Sequence, residues 1–478
     1  MSARRLVLLL LIGLAGTGVA AAPVVSGLWL GPHGDTVKHA DPAIVRALQA
    51  ALSEHAPSVI AGATTRAAVR AFYRQRDFAP LWIDSGKPST RYRLAADYLA
   101  SIDSEGLVPA DYGLPDLSGD TANLAQLELV ATRTVLRYAQ DANGGRLDAR
   151  TISSDIAYPS KTLDIAAFLN ELSDPSRVVA ALQALHPSHP HYRALKFALA
   201  ELRASGGATD TVIANMERWR WLPRGLEPTR VVVNLPDYTL RLFEQGELAF
   251  VARAVVGSPA TPTPLIVSAM TSMTVNPVWN VPRSIASSRA MQPFIEDAAL
   301  REQVGLTMST DLEGRTTLAQ APGGFNPLGR VRFNFPNAFA VYQHDTPDPS
   351  PFERRLRGLS HGCVRVENAL SYAETILAME LGEQAGDRIK ALLREEDIDV
   401  PLAKPLPVYL TYETMAEDDN GEWRPLPDIY HYDARMTAQL RARQIRPDRI
   451  TLPAPAPSGL FDRFYRRVVA KLAAVVTL

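Results

Sequence analysis

Ser360-His361-Gly362-Cys363-Val364-Arg365-Val366 contains the only cysteine among 478 residues. The thiol follows a glycine, with a histidine and an arginine each two positions away. Those neighbours suit a nucleophile, because a thiol attacks as thiolate and needs a base to make one. The competing reading is a small buried apolar residue, the usual state of an isolated cysteine. The chain around this stretch separates the two.

Two histidines are candidates for the base. His361 points the same way as Cys363 if the stretch is extended. His344 lies nineteen residues before the cysteine, after Ala340-Val341-Tyr342-Gln343, which reads as strand. The ends of strands are where catalytic groups gather on a rigid scaffold. Gly362 allows a sharp turn, and its N–H with that of Cys363 forms a candidate oxyanion hole. Arg365 offers a fork for a substrate carboxylate, with a structural ion pair as the alternative. Trp279 and Tyr342 are candidate cleft aromatics, with core packing as the alternative.

Hydrophobic residues make up 46% and charged residues 21%, a globular composition. The formal net charge is −1, so nothing implies a nucleic-acid or other polyanionic partner. Arg4-Arg5, the apolar run Leu6 to Leu14 and Ala20-Ala21-Ala22 before Pro23 have the layout of a secretory signal over 1–22. The run is short for a spanning helix, so cleavage is expected over retention as an inner-membrane anchor. Export, with a periplasmic location, makes an unpaired cysteine unusual and favours a chemical role for it. His186, His189 and His191 crowd between prolines with no cysteine nearby, and they read as a solvated loop, not a metal site. No cofactor is implied.

Residues 23–60 read as a lead-in with one helix over 41–53. Apolar spacings of three and four predict a helical scaffold over 61–205. Its helices start at Thr64 (Ala67, Val69, Phe72 and Tyr73 forming one face) and continue over 90–105, 116–143, 163–172, 175–184 and 191–204. In the second, Leu94, Leu99 and Ile102 are expected to face inward. Ser205-Gly206-Gly207 marks a boundary, followed by a helix over 211–221 with Met216, Trp219 and Leu222 inward. The period then switches to two. Strands are predicted over 230–235, 239–243, 247–256, 269–275, 338–343 and 408–414, with Gln245-Gly246 as a turn and helices over 368–381 and 386–394. The fold class is therefore α+β, a helical domain before a mostly β domain over 211–415. The β signal lapses over 276–325, which reads as a mostly helical insertion, and so long an insertion is usually functional. The extension 416–478 holds a turn at Asp418-Asp419-Asn420-Gly421, a proline linker over 453–457 and an amphipathic helix over 461–478.

Ser360-His361-Gly362-Cys363-Val364-Arg365, with His344 upstream in His344-Asp345-Thr346-Pro347, resembles the signature of the YkuD-type L,D-transpeptidases. Three further stretches are similar to the long, YcbB-like subgroup: Glu217 to Pro223, Asn276 to Pro282 and Asn326 to Val331. The resemblance implies a β-sandwich-like catalytic domain that acts on peptidoglycan stem peptides. It implies Cys363 as nucleophile and His344 as base, the latter oriented by the backbone carbonyl of Asp345. Gly362 would supply an oxyanion N–H, and Ser360, His361, Arg365, Tyr342 and Trp279 would bind substrate. The insertion would cap the site. The small peptidoglycan-binding module of many long members has no counterpart, since only Ser205 to Asp210 separates the scaffold from the Arg-Trp-Arg-Trp helix.

The implied reaction is an acyl transfer that makes 3→3 cross-links through a cysteine thioester. An L,D-carboxypeptidase, or an enzyme that joins proteins to or releases them from peptidoglycan, shares that intermediate. A non-catalytic wall-binding scaffold is the alternative from another class, and the intact Cys363 and His344 speak against it. Expected partners are donor and acceptor stem peptides, cell-wall synthases, and carbapenems that acylate Cys363.

Overall fold

The structure, a computed structural model, describes residues 40–53, 59–310, 312–417 and 423–445. The signal segment, the turn at 418–421, the proline linker and the tail helix lie outside the described residues. None of the described helices is long and apolar enough to cross a membrane.

The chain folds as α+β, with a helical region preceding a closed β domain. The axis of the helical region is Thr121–Gly144, buried along most of its length. It starts five residues later than the apolar pattern implies, because Asp120 caps it by accepting the Asn123 N–H at 2.8 Å. It stops at Gly145, whose φ is +92° and where a Cβ would stand 2.7 Å from Trp221 Nε1, so no larger residue fits. Helix Ala63–Gln75 buries Val69, Phe72 and Tyr73 as expected, while Ala67 is exposed. Leu99 and Ile102 are buried and Leu94 is half-buried.

The three clustered histidines do not form a solvated loop. His186 is 7% exposed and bonds Tyr138 Oη at 2.8 Å. His189 caps the helix Pro190–Ser205 and stacks on Trp219 at 4.4 Å between ring centroids. His191 Nδ1 accepts from Trp219 Nε1 at 2.9 Å. Aromatic partners, Tyr138 for His186 and Trp219 of the next helix for His189 and His191, draw these rings from water, which hydropathy at 186–191 could not foretell.

That next helix, Asp210–Trp221, joins the two halves of the molecule. Met216, Trp219 and Leu222 are buried as predicted, and so are Glu217, Arg218 and Arg220. Glu217 accepts from Arg146 Nε at 3.1 Å, Leu147 N–H at 3.1 Å and Arg220 Nη1 at 3.0 Å. Arg218 turns the other way, to Asp433 and to Thr414 Oγ1 at 3.0 Å. A buried charge stripped of its partner costs about 3–5 kcal/mol, so these pairs lock the halves in one arrangement.

The catalytic-side sheet has nine strands: β1 Arg230–Asn234, β2 Thr239–Glu244, β3 Glu247–Gly257, β4 Val267–Val275, β5 Val331–Asn334, β6 Gln343–His344, β7 Gly358–Ser360, β8 Val364–Val366 and β9 Ile398–Thr411. Their spatial order is β7-β3-β8-β6-β5-β4-β9-β1-β2. The long β3 also pairs with β2 over its first half and with β8 over its second, so the sheet closes on itself. The predicted Gln245-Gly246 turn is present with φ of +51° and +96°, the signs a tight hairpin needs. Helix Ala369–Leu381 covers the sheet through Tyr372, Ala373 and Ile376.

Three expectations need correction. The strand over 338–343 shrinks to β6, because Asn337 folds the preceding residues into a turn. Its amide donates to Phe335 O at 2.7 Å and Val341 O at 2.8 Å and accepts from Phe339 N–H at 3.0 Å. The strand expected over 408–414 begins at Ile398, and its prolines sit around a register break between Pro401 and Leu406. The insertion is only half helical: four short helical segments lie between the first strand, Trp279–Asn280, and the other two, Leu306–Thr310 and Thr316–Gln320, of a three-stranded antiparallel sheet. Residues beyond 415 also fold back, since Tyr430, Tyr432, Met436 and Leu440 belong to the core of the β domain.

Candidate active site

Register places the site before any side chain is considered. On the parallel pair β6–β8, Gln343 lies opposite Val364 and His344 opposite Arg365. One step back, Tyr342 lies opposite Cys363. Alternation then puts Tyr342, His344, Cys363 and Arg365 on one face. On the other side of β6, Arg332 lies opposite His344. A row Arg332–His344–Arg365 therefore crosses three strands. Sequence reading missed Arg332; its alternation with Phe333 and Val331 in a short strand was the available signal.

Cys363 is half-buried. Burial pushes its thiol pKa up, while the N–H and hydroxyl of Tyr342 and the charges of Arg365 and Arg332 pull it down. Tyr342 in turn receives a hydrogen bond from Trp279 of the cap. Trp279 and Tyr342 thus both reach the thiol region, and they also pack with Val281, Met291 and Leu318 of the cap. The packing expected as the alternative is present for both aromatics, with Tyr342 also against the thiol.

His344 is 5% exposed, and its Nδ1 lies 2.6 Å from the Asp345 carbonyl. That bond places the proton on Nδ1 and the lone pair on Nε2. The imidazole pKa is lowered to about 4, chiefly by burial and also by the charges of Arg365 and Arg332, while the carbonyls of Asp345 and Pro327 act in the opposite sense. The resting pair is a neutral thiol and a neutral imidazole, not an ion pair. His344 and Cys363 share a face, but no hydrogen bond joins them among the described residues.

The stretch Asn326 to Arg330 has a physical task here. The Asp345 carboxylate accepts the Arg330 N–H at 2.8 Å. Gly329 has φ of +62°, and a Cβ there would stand 2.4 Å from Asp345 Oδ2. Asn326 donates to Pro277 O at 2.9 Å and so ties this turn to the root of the cap.

The turn carrying the thiol is held from inside. Ser360 Oγ donates to Cys363 O at 2.5 Å and accepts the Gly362 N–H at 3.1 Å. Ser360 is buried, so its hydroxyl serves the loop and does not face substrate. The Gly362 N–H, expected as an oxyanion donor, is already engaged. The Cys363 N–H has no acceptor among the described residues. His361 is exposed at the turn, and Arg365 is half-buried, with the charge of Asp348 acting on it.

A thiol and a neutral imidazole thus share one face of a closed sheet beside the inserted subdomain. Family comparison gives the class a name. Residues 228–390 match the L,D-transpeptidase catalytic domain, YkuD, and residues 67–199 match the scaffold domain. The chain carries a YkuD L,D-transpeptidase catalytic domain behind a scaffold domain. A Haemophilus influenzae protein named "Putative L,D-transpeptidase" is 27% identical over 398 residues, covering 76% of this chain and 78% of that one. Among solved structures, an L,D-transpeptidase from Mycobacterium smegmatis aligns at 14% identity and a TM-score of 0.21, over 38% of this chain and 58% of that one. The acylated catalytic domain of the Enterococcus faecium enzyme aligns at 17% identity and a TM-score of 0.19, over 39% and 98%. The chain spans only about half the length of the first solved chains it matches, at 49%, 58% and 50%.

Proposed function

We propose that the protein is an exported L,D-transpeptidase that forms 3→3 cross-links between peptidoglycan stems. The observation that carries this is Cys363 beside a neutral His344 on adjacent strands of the matched catalytic domain. Sulfur attacks the carbonyl of the third stem residue, a diamino acid, and its proton passes to His344. The C–N bond to the terminal D-alanine breaks, and the proton leaves with the departing amine. The Cys363 N–H faces the developing oxyanion. The thioester is then attacked by the side-chain amine of a second stem, which releases the thiol. Arg332 and Arg365 offer charge to a carboxylate-bearing donor.

The test is mass spectrometry after incubation with a carbapenem. An adduct on Cys363, lost in Cys363→Ala and slowed at least 100-fold in His344→Ala, supports the reading; no adduct sinks it. A muropeptide digest with purified protein then separates cross-linking from hydrolysis: 3→3 dimers support transpeptidation, and tripeptides alone mean that water is the acceptor.

A further inference from the structure

The chain beyond residue 390, outside the catalytic-domain match, reaches back into the active-site turn. Thr263 Oγ1 donates to the Gly362 carbonyl at 2.8 Å and accepts the Gly257 N–H at 2.8 Å. Tyr430 Oη accepts the Thr263 N–H at 3.1 Å and donates to Gly257 O at 2.8 Å. Tyr430 thus bridges both ends of the 257–263 loop, and that loop holds the turn. Ser258 N–H and Thr261 Oγ1 reinforce it by donating to Ser360 O at 2.9 and 3.0 Å. Tyr430 is itself fixed, since its N–H donates to Tyr412 Oη at 2.8 Å and the two rings stack at 5.6 Å.

The Gly362 carbonyl and the Cys363 N–H belong to one peptide unit. In a planar trans peptide they point in opposite directions. Anchoring the carbonyl on Thr263 therefore aims the Cys363 N–H away from the 257–263 loop. That N–H is bonded to no described residue. Gly362 makes the unit easy to rotate, because its φ of +113° lies where only glycine is at ease. Without an anchor the peptide is free to flip.

We propose that Tyr430 and Thr263 are positioning residues that set the aim of the Cys363 N–H, so that the C-terminal segment completes the oxyanion site. The inference rests on the acyl-enzyme reading above. It also assigns a task to Tyr430, which the catalytic-domain match leaves out.

The experiment compares two reactions of the same thiol in the full chain. Carbapenem acylation develops an oxyanion; alkylation by iodoacetamide does not. Tyr430→Phe keeps the ring and removes the bridge, and should slow acylation about tenfold with alkylation unchanged. Thr263→Val removes the anchor itself and should slow it about 30-fold, less than the roughly 100-fold typical of deleting a donor. Thr263→Ser should recover most of the rate lost in Thr263→Val. Wild-type acylation rates in Tyr430→Phe and Thr263→Val would overturn the proposal, and so would a parallel fall in alkylation, which would mark a merely structural role. No adduct on the unsubstituted protein would instead overturn the acyl-enzyme reading beneath it.

Discussion

At the scale of the residue, the site is a balance of burial against a few polar contacts. Desolvation raises the Cys363 thiol and lowers His344, so the proton stays on sulfur until a substrate arrives. Tyr342 is the main contact that eases the thiol toward ionisation. Tyr342→Phe removes one of its hydrogen bonds to sulfur, so the thiol pKa rises further. The pH profile of iodoacetamide alkylation at Cys363 is expected to move to higher pH. Much of this was legible in the sequence: Cys363, His344, Asp345 and Tyr342 all fall where the motif places them. Ser360 and Gly362 differ because their hydroxyl and N–H bond to each other's loop, a local closure that residue types alone do not specify.

At the scale of the element, the short β6 shows how much a turn can decide. Asn337 replaces strand pairing with side-chain bonds to Phe335, Phe339 and Val341. Ala340 then adopts φ of +52°, which a continuous strand forbids. The turn delivers Tyr342 and His344 to Cys363 and Arg365. Asn337→Ala is expected to cost about 1–3 kcal/mol, from backbone groups left without partners. Carbapenem acylation should fall with it, because Tyr342 loses its approach; denaturant unfolding and adduct kinetics read the two effects. The periodicity of 338–343 is strand-like, so sequence pattern alone predicted the wrong element at the right place. The cap misled for a related reason. Its strands pair only with one another, in a sheet too small to impose a strong alternation.

At the scale of the whole molecule, the junction between the helical region and the sheet carries the charge and the pH dependence. Burial lowers His186 to about 3, and His189 and His191 to about 4. With His344, all four have folded pKa values below the unfolded value of about 6.5. The unfolded chain therefore binds more protons between pH 6.5 and 4. The stability from these groups is present above about 6.5 and is lost as pH falls toward 4. Glu413, raised by burial to about 7, works in the opposite sense over roughly the same range. His191 and Glu413 approach to 3.9 Å, but His191 Nδ1 accepts from Trp219, so the imidazole is neutral and the contact is not an ion pair. Burial also raises Glu128, Asp141, Asp237 and Asp345, which oppose the histidines increasingly toward pH 4. The histidine effect is therefore read at the upper end of the window, where Tm is expected to fall as pH drops just below 6.5, with net proton uptake on unfolding. Calorimetry in buffers of different ionisation heat measures that uptake; proton release there would contradict the assignment.

By itself, the sequence determined the helical and β halves and singled out Cys363, His344 and Asp345 as one candidate cluster. Those features are written in local patterns, in the period of apolar residues and in one motif whose members share a strand or a turn. The tertiary structure alone decided which N–H is free at Cys363, that Arg332 stands beside His344, that the three clustered histidines pack against aromatic rings, and that Tyr430 reaches the active-site turn. Each of these depends on contacts between residues far apart in the chain, up to 173 positions for Tyr430 and Gly257. Closure of the sheet, not local propensity, brings them together.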